Sequence, residues 1–306
     1  MSMKISTISL CSCTGCHMSL LNLGEDLIKL LPTLDFQYSP VLMDSKVISE
    51  TDIILVEGGI RNQDDIKLLK GARDNSTTLV SLGTCATYGG VPGIGTAFPT
   101  LELIRRAIGD RNEFMEVPGL SRRLNPIDTV VEVDYYLPGC PPPSELIGKF
   151  LTSIVSGQSP SRVSLPVCAE CERKVKEEYS PEIVRLVDRQ PNPDECLLSQ
   201  GYICLGSVSR GGCGAQCTSA GHPCFGCRGP SDRVLLDPLH GIVEDLINRI
   251  SHFAGTPREE IEKQLFDFIH VFYGFTLASQ TLRKKWVERV AELIYRVMQD
   301  GENNQD

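Results

Sequence analysis

Short apolar stretches alternate with amphipathic ones through the first half of the chain. Segments rich in β-forming residues fall at Met3–Leu10, Phe36–Met43, Asp52–Val56, Thr78–Leu82 and Thr129–Leu137. Between them, apolar positions recur at helical spacing over Met18–Leu31, Asp64–Arg73, Thr100–Ile108 and Ser144–Val155. DIILV and TTLVSL are continuous apolar runs, the pattern of parallel strands covered on both faces. The alternation predicts an α/β fold, a flavodoxin-like doubly wound parallel sheet over residues 1–157.

Near Ser156 the periodicity is lost. SGQSPSRVSLP reads as a polar linker, and residues 168–230 are rich in cysteine and glycine with little pattern. Such a segment is expected to lack an adequate apolar core, so metal ligation is expected to hold it. Helical faces then return: Ile242, Val243, Leu246, Ile247 and Ile250; Ile261, Leu265, Phe268, Ile269 and Phe272; Leu282, Trp286, Val290, Leu293 and Val297. The second domain thus spans 158–306: an irregular cysteine-rich part at 168–230, then C-terminal helices over 238–300 whose apolar faces pack inward or on a partner. His240, His252 and His270 have no cysteine at ligand spacing and read as ordinary helix residues.

Composition narrows the class. A chain of 306 residues with 41% hydrophobic content can fill a core, which excludes disorder. Lys and Arg number 30 against 39 Asp and Glu, and the net charge of −9 argues against nucleic-acid binding. No apolar run reaches the roughly 18 residues of a membrane span. MSMKISTISL has neither a secretory apolar region nor a twin arginine, so a soluble, cytoplasmic protein with reduced thiols is expected. The 13 cysteines are an odd number and cannot all pair as disulfides.

Twelve of them fall into three sets of four. Cys13, Cys16, Cys85 and Cys140 follow three different strands, where a doubly wound sheet carries its functional loops. Gly15, Gly83 and Gly139 flank them and permit close backbone approach, and Pro141–Pro143 stiffen the last loop. Cys168, Cys171, Cys196 and Cys204 form a second set, and Cys213, Cys217, Cys224 and Cys227 a third. Eight thiolates there suit two 4Fe–4S clusters or two zinc sites, and exchange of Cys204 with Cys213 is open on order alone. The bacterial ferredoxin run is absent.

Other features take duller readings. GGVPGIGTA at 89–97 lacks the strand, tight turn and helix of a dinucleotide fingerprint and is expected to be a loop shaping the first centre. Glu57 ends a central strand at the same rim, as a proton relay or a loop hydrogen-bond partner. His17 either donates to cluster sulfur or sits solvated at a helix start. Cys11 is extra to the first set and reads as a buried, inert thiol at a strand end.

CTGC, VEGG, GTCATYGG and PGCPPPSE, in that order, resemble the small subunit of NiFe hydrogenases and, more distantly, the cluster-bearing subunit of respiratory complex I. The later pattern, CAEC, CLLSQGYICLG, RGGCGAQC and HPCFGCRGP, is similar to the cytoplasmic, methyl-viologen-reducing group. That group feeds heterodisulfide reductase in methanogenesis and does not reduce the deazaflavin coenzyme. Sulfhydrogenase small subunits are also similar.

The resemblance implies three 4Fe–4S clusters bound through iron: proximal on Cys13, Cys16, Cys85 and Cys140; medial on Cys213, Cys217, Cys224 and Cys227; distal on Cys168, Cys171, Cys196 and Cys204. Where many relatives have histidine and proline at the positions of Cys168 and Cys217, this chain has cysteine, which implies all-cysteine clusters. Ser12 and His17 flank the first pair where many relatives have a glutamate, which leaves that proton route without its carrier. The implied activity is electron relay from H2 oxidation on a NiFe large subunit to an iron–sulfur or flavin acceptor, such as heterodisulfide reductase or its linker subunit. The alternative is a sulfhydrogenase-type subunit serving a flavin/NAD(P) or polysulfide-reducing partner. No catalytic residue is expected on this chain.

Overall fold

Five parallel strands form one sheet in order β2-β1-β3-β4-β5 in the computed structural model, which describes residues 2–45, 47–109, 119–236, 242–265 and 274–279. They are β1 (Met3–Ser9), β2 (Leu34–Tyr38), β3 (Thr51–Glu57), β4 (Ser76–Leu82) and β5 (Tyr135–Leu137). This is the flavodoxin-type order expected from the alternation. Because Ser9 pairs with Glu57, Glu57 with Leu82, and Leu82 with Leu137, the strands end level and their following loops share one rim.

Side chains alternate across the sheet and build two layers of core. Ile53 and Leu55 of β3 face α1 (Gly15–Leu21), α2 (Glu25–Leu30) and α6 (Ser144–Val155), where Leu20, Leu27, Ile147, Phe150 and Leu151 close the layer. Ile54 and Val56 face the other way, toward Leu69 and Ala72 of α3 (Gln63–Asp74) and Ala86 of α4 (Thr84–Tyr88). Asn62 and Asp65 make a capping box that fixes the start of α3. α5 (Thr100–Ile108) matches its expected span.

Several boundaries differ from expectation for identifiable reasons. The helix expected over Met18–Leu31 is two helices, broken where Gly24 takes φ +56°. β2 stops at Tyr38 rather than Met43, since Pro40 has no N–H for the ladder. The strand expected from Thr129 shrinks to Tyr135–Leu137: Ile127–Thr129 winds as a 3₁₀ turn, and Asp134 accepts from Leu79 N at 2.7 Å. In the glycine-rich stretch, Val91–Ala97 is also 3₁₀.

The second half corrects a larger expectation. Residues 160–236 are irregular apart from 3₁₀ turns and the short α7 (Gln216–Ser219) and α8 (Asp232–Leu236), yet they do have an apolar core. Leu197, Tyr202, Leu205 and Val208 are buried against Leu246, Ile247 and Ile250 of α9 (Ile242–Ala254) and Ile261 and Leu265 of α10 (Arg258–Leu265). The cysteine-rich segment borrows the helical faces that follow it. His252 is exposed on α9. Phe268, Ile269, Phe272, the face from Leu282 to Val297, His240 and His270 lie outside the described residues. Among the described residues no helix is long and apolar enough to cross a membrane.

Candidate metal centres

The first cysteine set is assembled by the level strand ends. Cys13 and Cys16 lie in the loop and first turn after β1, Cys85 begins α4 after β4, and Cys140 follows β5. Hydrogen bonds tie the last two loops together: Gly83 N to Leu137 O and Thr84 N to Gly139 O, both 2.9 Å, and Gly139 N to Thr84 Oγ1, 2.8 Å. Burial pushes the Cys85 thiol up to about 12, and the neighbouring Cys140 and Cys13 add to it. Burial raises Cys16 further, with Glu57 and the other three cysteines contributing. Burial also raises Cys140, so three neighbouring thiols are held protonated in the absence of a cation and would ionise on binding one.

Glycines make the room. Gly83 takes φ +86°, and a Cβ on it would run into Cys16 Sγ; a Cβ on Gly90 would stand 2.5 Å from Cys85 Sγ. Of the stretch 89–97, Gly90 packs on Cys85, while Gly89 and Gly93 pack on Ala278 and Gly95 on Leu103.

Glu57 and His17 are both fully buried behind Cys16. The Glu57 carboxylate accepts from Ser9 Oγ at 3.0 Å, Ser12 Oγ at 2.8 Å and His17 N at 3.0 Å. His17 Nδ1 lies 3.0 Å from Glu57 Oε2 without hydrogen-bond alignment, and Nε2 contacts Thr7 Oγ1 at 2.8 Å. Burial would raise the Glu57 carboxyl, but the His17 ring, Ser12 and the His17 N–H outweigh it and lower its pKa. His17 is thus buried rather than solvated, and its ring nitrogens face Glu57 and Thr7 rather than a cysteine sulfur. Cys11 is half-buried and bridged through its backbone to Gly59, with its thiol raised by burial and by Asp65.

The remaining eight cysteines line two cavities. Cys168, Cys171, Cys196 and Cys204 stand around one of about 70 Å³, with Arg173 and Arg249 on its wall. Cys213, Cys217, Cys224 and Cys227 stand around another of about 310 Å³, which also touches Cys140. Cys204 lines the first and Cys213 the second. Burial pushes Cys168 to about 12 and Cys204 and Cys227 to about 11, and raises Cys224 further.

Backbone N–H groups point at these sulfurs. Gly206 donates to Cys204, Gly226 to Cys224, and Cys140 to Cys227. A Cβ on Gly206 would stand 3.2 Å from Cys168 Sγ. Glu170 shapes the loop at Cys213 by accepting from Cys213 N at 3.1 Å and Gly214 N at 2.9 Å, and also from Gly212 N. All-thiolate donor sets, glycine cradles and N–H donors fit iron–sulfur clusters. Among the described residues, no three His, Cys, Asp or Glu converge on a position for a single metal ion.

Known proteins are similar to this chain. The family described as NADH ubiquinone oxidoreductase, 20 kDa subunit, matches residues 13–154. A vhu subunit of the F420-non-reducing hydrogenase of Methanocaldococcus jannaschii is 40% identical over 243 residues, 77% of this chain and 84% of that protein. Sulfhydrogenase 2 subunit delta of Pyrococcus furiosus is 32% identical over 267 residues, 87% of this chain and 99% of its own length. The crystal structure of an NAD+-reducing [NiFe]-hydrogenase in the H2-reduced state contains a chain 35% identical. It superposes at a TM-score of 0.50 over 53% of this chain and 96% of that one.

Proposed function

Since this chain belongs to the small-subunit family of NiFe hydrogenases, electron-transfer subunits of oxidoreductases whose active site lies on the large subunit, we propose that it carries three 4Fe–4S clusters in series. Cys13, Cys16, Cys85 and Cys140 hold the proximal one, Cys213, Cys217, Cys224 and Cys227 the medial, and Cys168, Cys171, Cys196 and Cys204 the distal. The observation that carries this reading is that the sets are joined ligand to ligand. Cys140 N–H donates to the Cys227 sulfur, and Cys224 N–H donates to Cys204 Sγ at 3.3 Å.

Bound clusters supply single-electron transfer; the chain supplies position and potential. Gly83 and Gly90 let the proximal thiolates close in, the Thr84–Gly139 bonds fix Cys140 against Cys85, and N–H donors offset thiolate charge. Residues 1–157 form the proximal domain and 158–306 the other, a division supported by apolar cores that share no residue.

Electrons from H2 then leave toward an iron–sulfur or flavin acceptor, heterodisulfide reductase or its linker subunit, in the cytoplasm. Similarity to a sulfhydrogenase subunit favours a second reading of the acceptor, a flavin/NAD(P) or polysulfide-reducing partner. Anaerobic co-purification with the large subunit tests the core of the proposal. About twelve iron and twelve sulfide per chain are expected, with H2-dependent dye reduction. Zinc without sulfide overturns it. Stimulation of H2 oxidation by added heterodisulfide reductase, rather than by NAD(P) or polysulfide, separates the two acceptors.

A further inference from the structure

Two arginines are buried beside the medial cysteines. Arg228 follows Cys227 and is 4% exposed; Arg210 precedes the loop to Cys213 and is 8% exposed. Both line the cavity that carries Cys213, Cys217, Cys224 and Cys227. Gly212, at φ +93°, leaves space for the first: a Cβ there would stand 3.2 Å from Arg228 Nη2.

Their hydrogen bonding is incomplete. Arg228 Nε donates to Gly211 O at 2.7 Å, but Nη1 is buried without an acceptor among the described residues. Arg210 Nη2 donates to Asp232 Oδ1 at 3.1 Å, an oxygen shared with Arg162, and Arg210 Nε also has no acceptor among them. Glu170, the carboxylate nearest in effect to Arg228, is taken up by the backbone N–H groups of Gly212, Cys213 and Gly214. A buried guanidinium with a free N–H and no carboxylate of its own is costly unless another anion matches it. Cys213, Cys217, Cys224 and Cys227 line the same cavity as both arginines, and as cluster ligands they would supply the matching negative charge.

We propose that Arg228, with Arg210 beside it, is the counter-cation of the medial cluster, its free N–H groups donating to the cluster's sulfur and holding its reduction potential above that of four thiolates alone. This rests on reading Cys213, Cys217, Cys224 and Cys227 as a cluster site. Arg228 is a positioning residue: it touches no substrate, and no bond forms or breaks. One electron arrives from the proximal cluster and one leaves to the distal cluster. Reduction adds negative charge to an already anionic site, and a nearby cation favours the reduced form.

The test is a redox titration of the anaerobically purified complex by electron paramagnetic resonance. The medial signal is identified as the one that Cys217→Ser alters. Arg228→Gln is expected to lower the midpoint of that signal and leave the distal midpoint in place, while Arg228→Lys, which keeps the charge, restores most of the shift. An unchanged medial midpoint in Arg228→Gln at full iron content overturns the proposal. If Arg228→Gln loses medial iron, Arg210→Gln decides, with a downward shift supporting and an unmoved midpoint overturning. Wild-type protein with only about eight iron per chain and no signal that depends on Cys217 would instead fail the three-cluster reading.

Discussion

The backbone N–H of Cys224 donates to the sulfur of Cys204 at 3.3 Å, so a single hydrogen bond joins the two cysteine sets of the second half. Each residue nonetheless lines a different cavity.

The proposed partition of ligands can be tested on that pair. Cys204→Ser is expected to cost about four iron atoms and the distal signal, and Cys213→Ser the same number and the medial signal. Iron analysis with electron paramagnetic resonance of both variants checks it. Loss of one and the same signal in the two would show that they share a centre.

Gly83 and Gly24 separate backbone strain from ligand crowding. Both take a positive φ, so alanine at either costs about 1–3 kcal/mol. Only at Gly83 would the new methyl group meet Cys16 Sγ; at Gly24 it meets nothing within 4 Å. Gly83→Ala is expected to lose proximal iron, whereas Gly24→Ala loses melting temperature alone.

Glu57→Gln removes the charge from a fully buried network that includes His17. A destabilisation of about 3 kcal/mol at pH 7 is expected, read from urea unfolding by circular dichroism. The folded carboxyl is lowered, so its contribution is complete above the ordinary glutamate value of 4.5 and is lost as pH falls through the folded value. The gap between wild type and variant therefore starts to narrow only below pH 4.5.

Cys11 neighbours the proximal set without lining either cavity of the second half. Cys11→Ala is expected to leave iron content and every cluster signal intact. Loss of the proximal signal would place Cys11 among the ligands.

Leu246 is fully buried between α9 and the cysteine-rich segment. Leu246→Ala should destabilise by about 2–5 kcal/mol and release distal iron before proximal iron during thermal unfolding, followed at the cluster absorption band.

The sheet, and the meeting of Cys13, Cys16, Cys85 and Cys140 at its rim, were legible because each rests on local pattern. Uninterrupted apolar runs mark β3 and β4, and the cysteines stand directly after strands that end level. What escaped depends on distant partners. His17 and Glu57 are forty residues apart, and only the Ser9–Glu57 register shows that they meet. The core of the second half was missed because Leu197, Tyr202 and Leu205 have no period of their own and are completed by the stripe on α9. Nor does any spacing rule mark Arg228, whose burial depends on the missing side chain of Gly212.

That borrowed stripe also sets an order of construction. A ribosome that has released the chain through Val155 has delivered all five strands and both of their core layers. The second core waits for Leu265, and Cys140 waits for Cys227. A nascent chain at that point therefore has a finished sheet and a second core that is still open on one side.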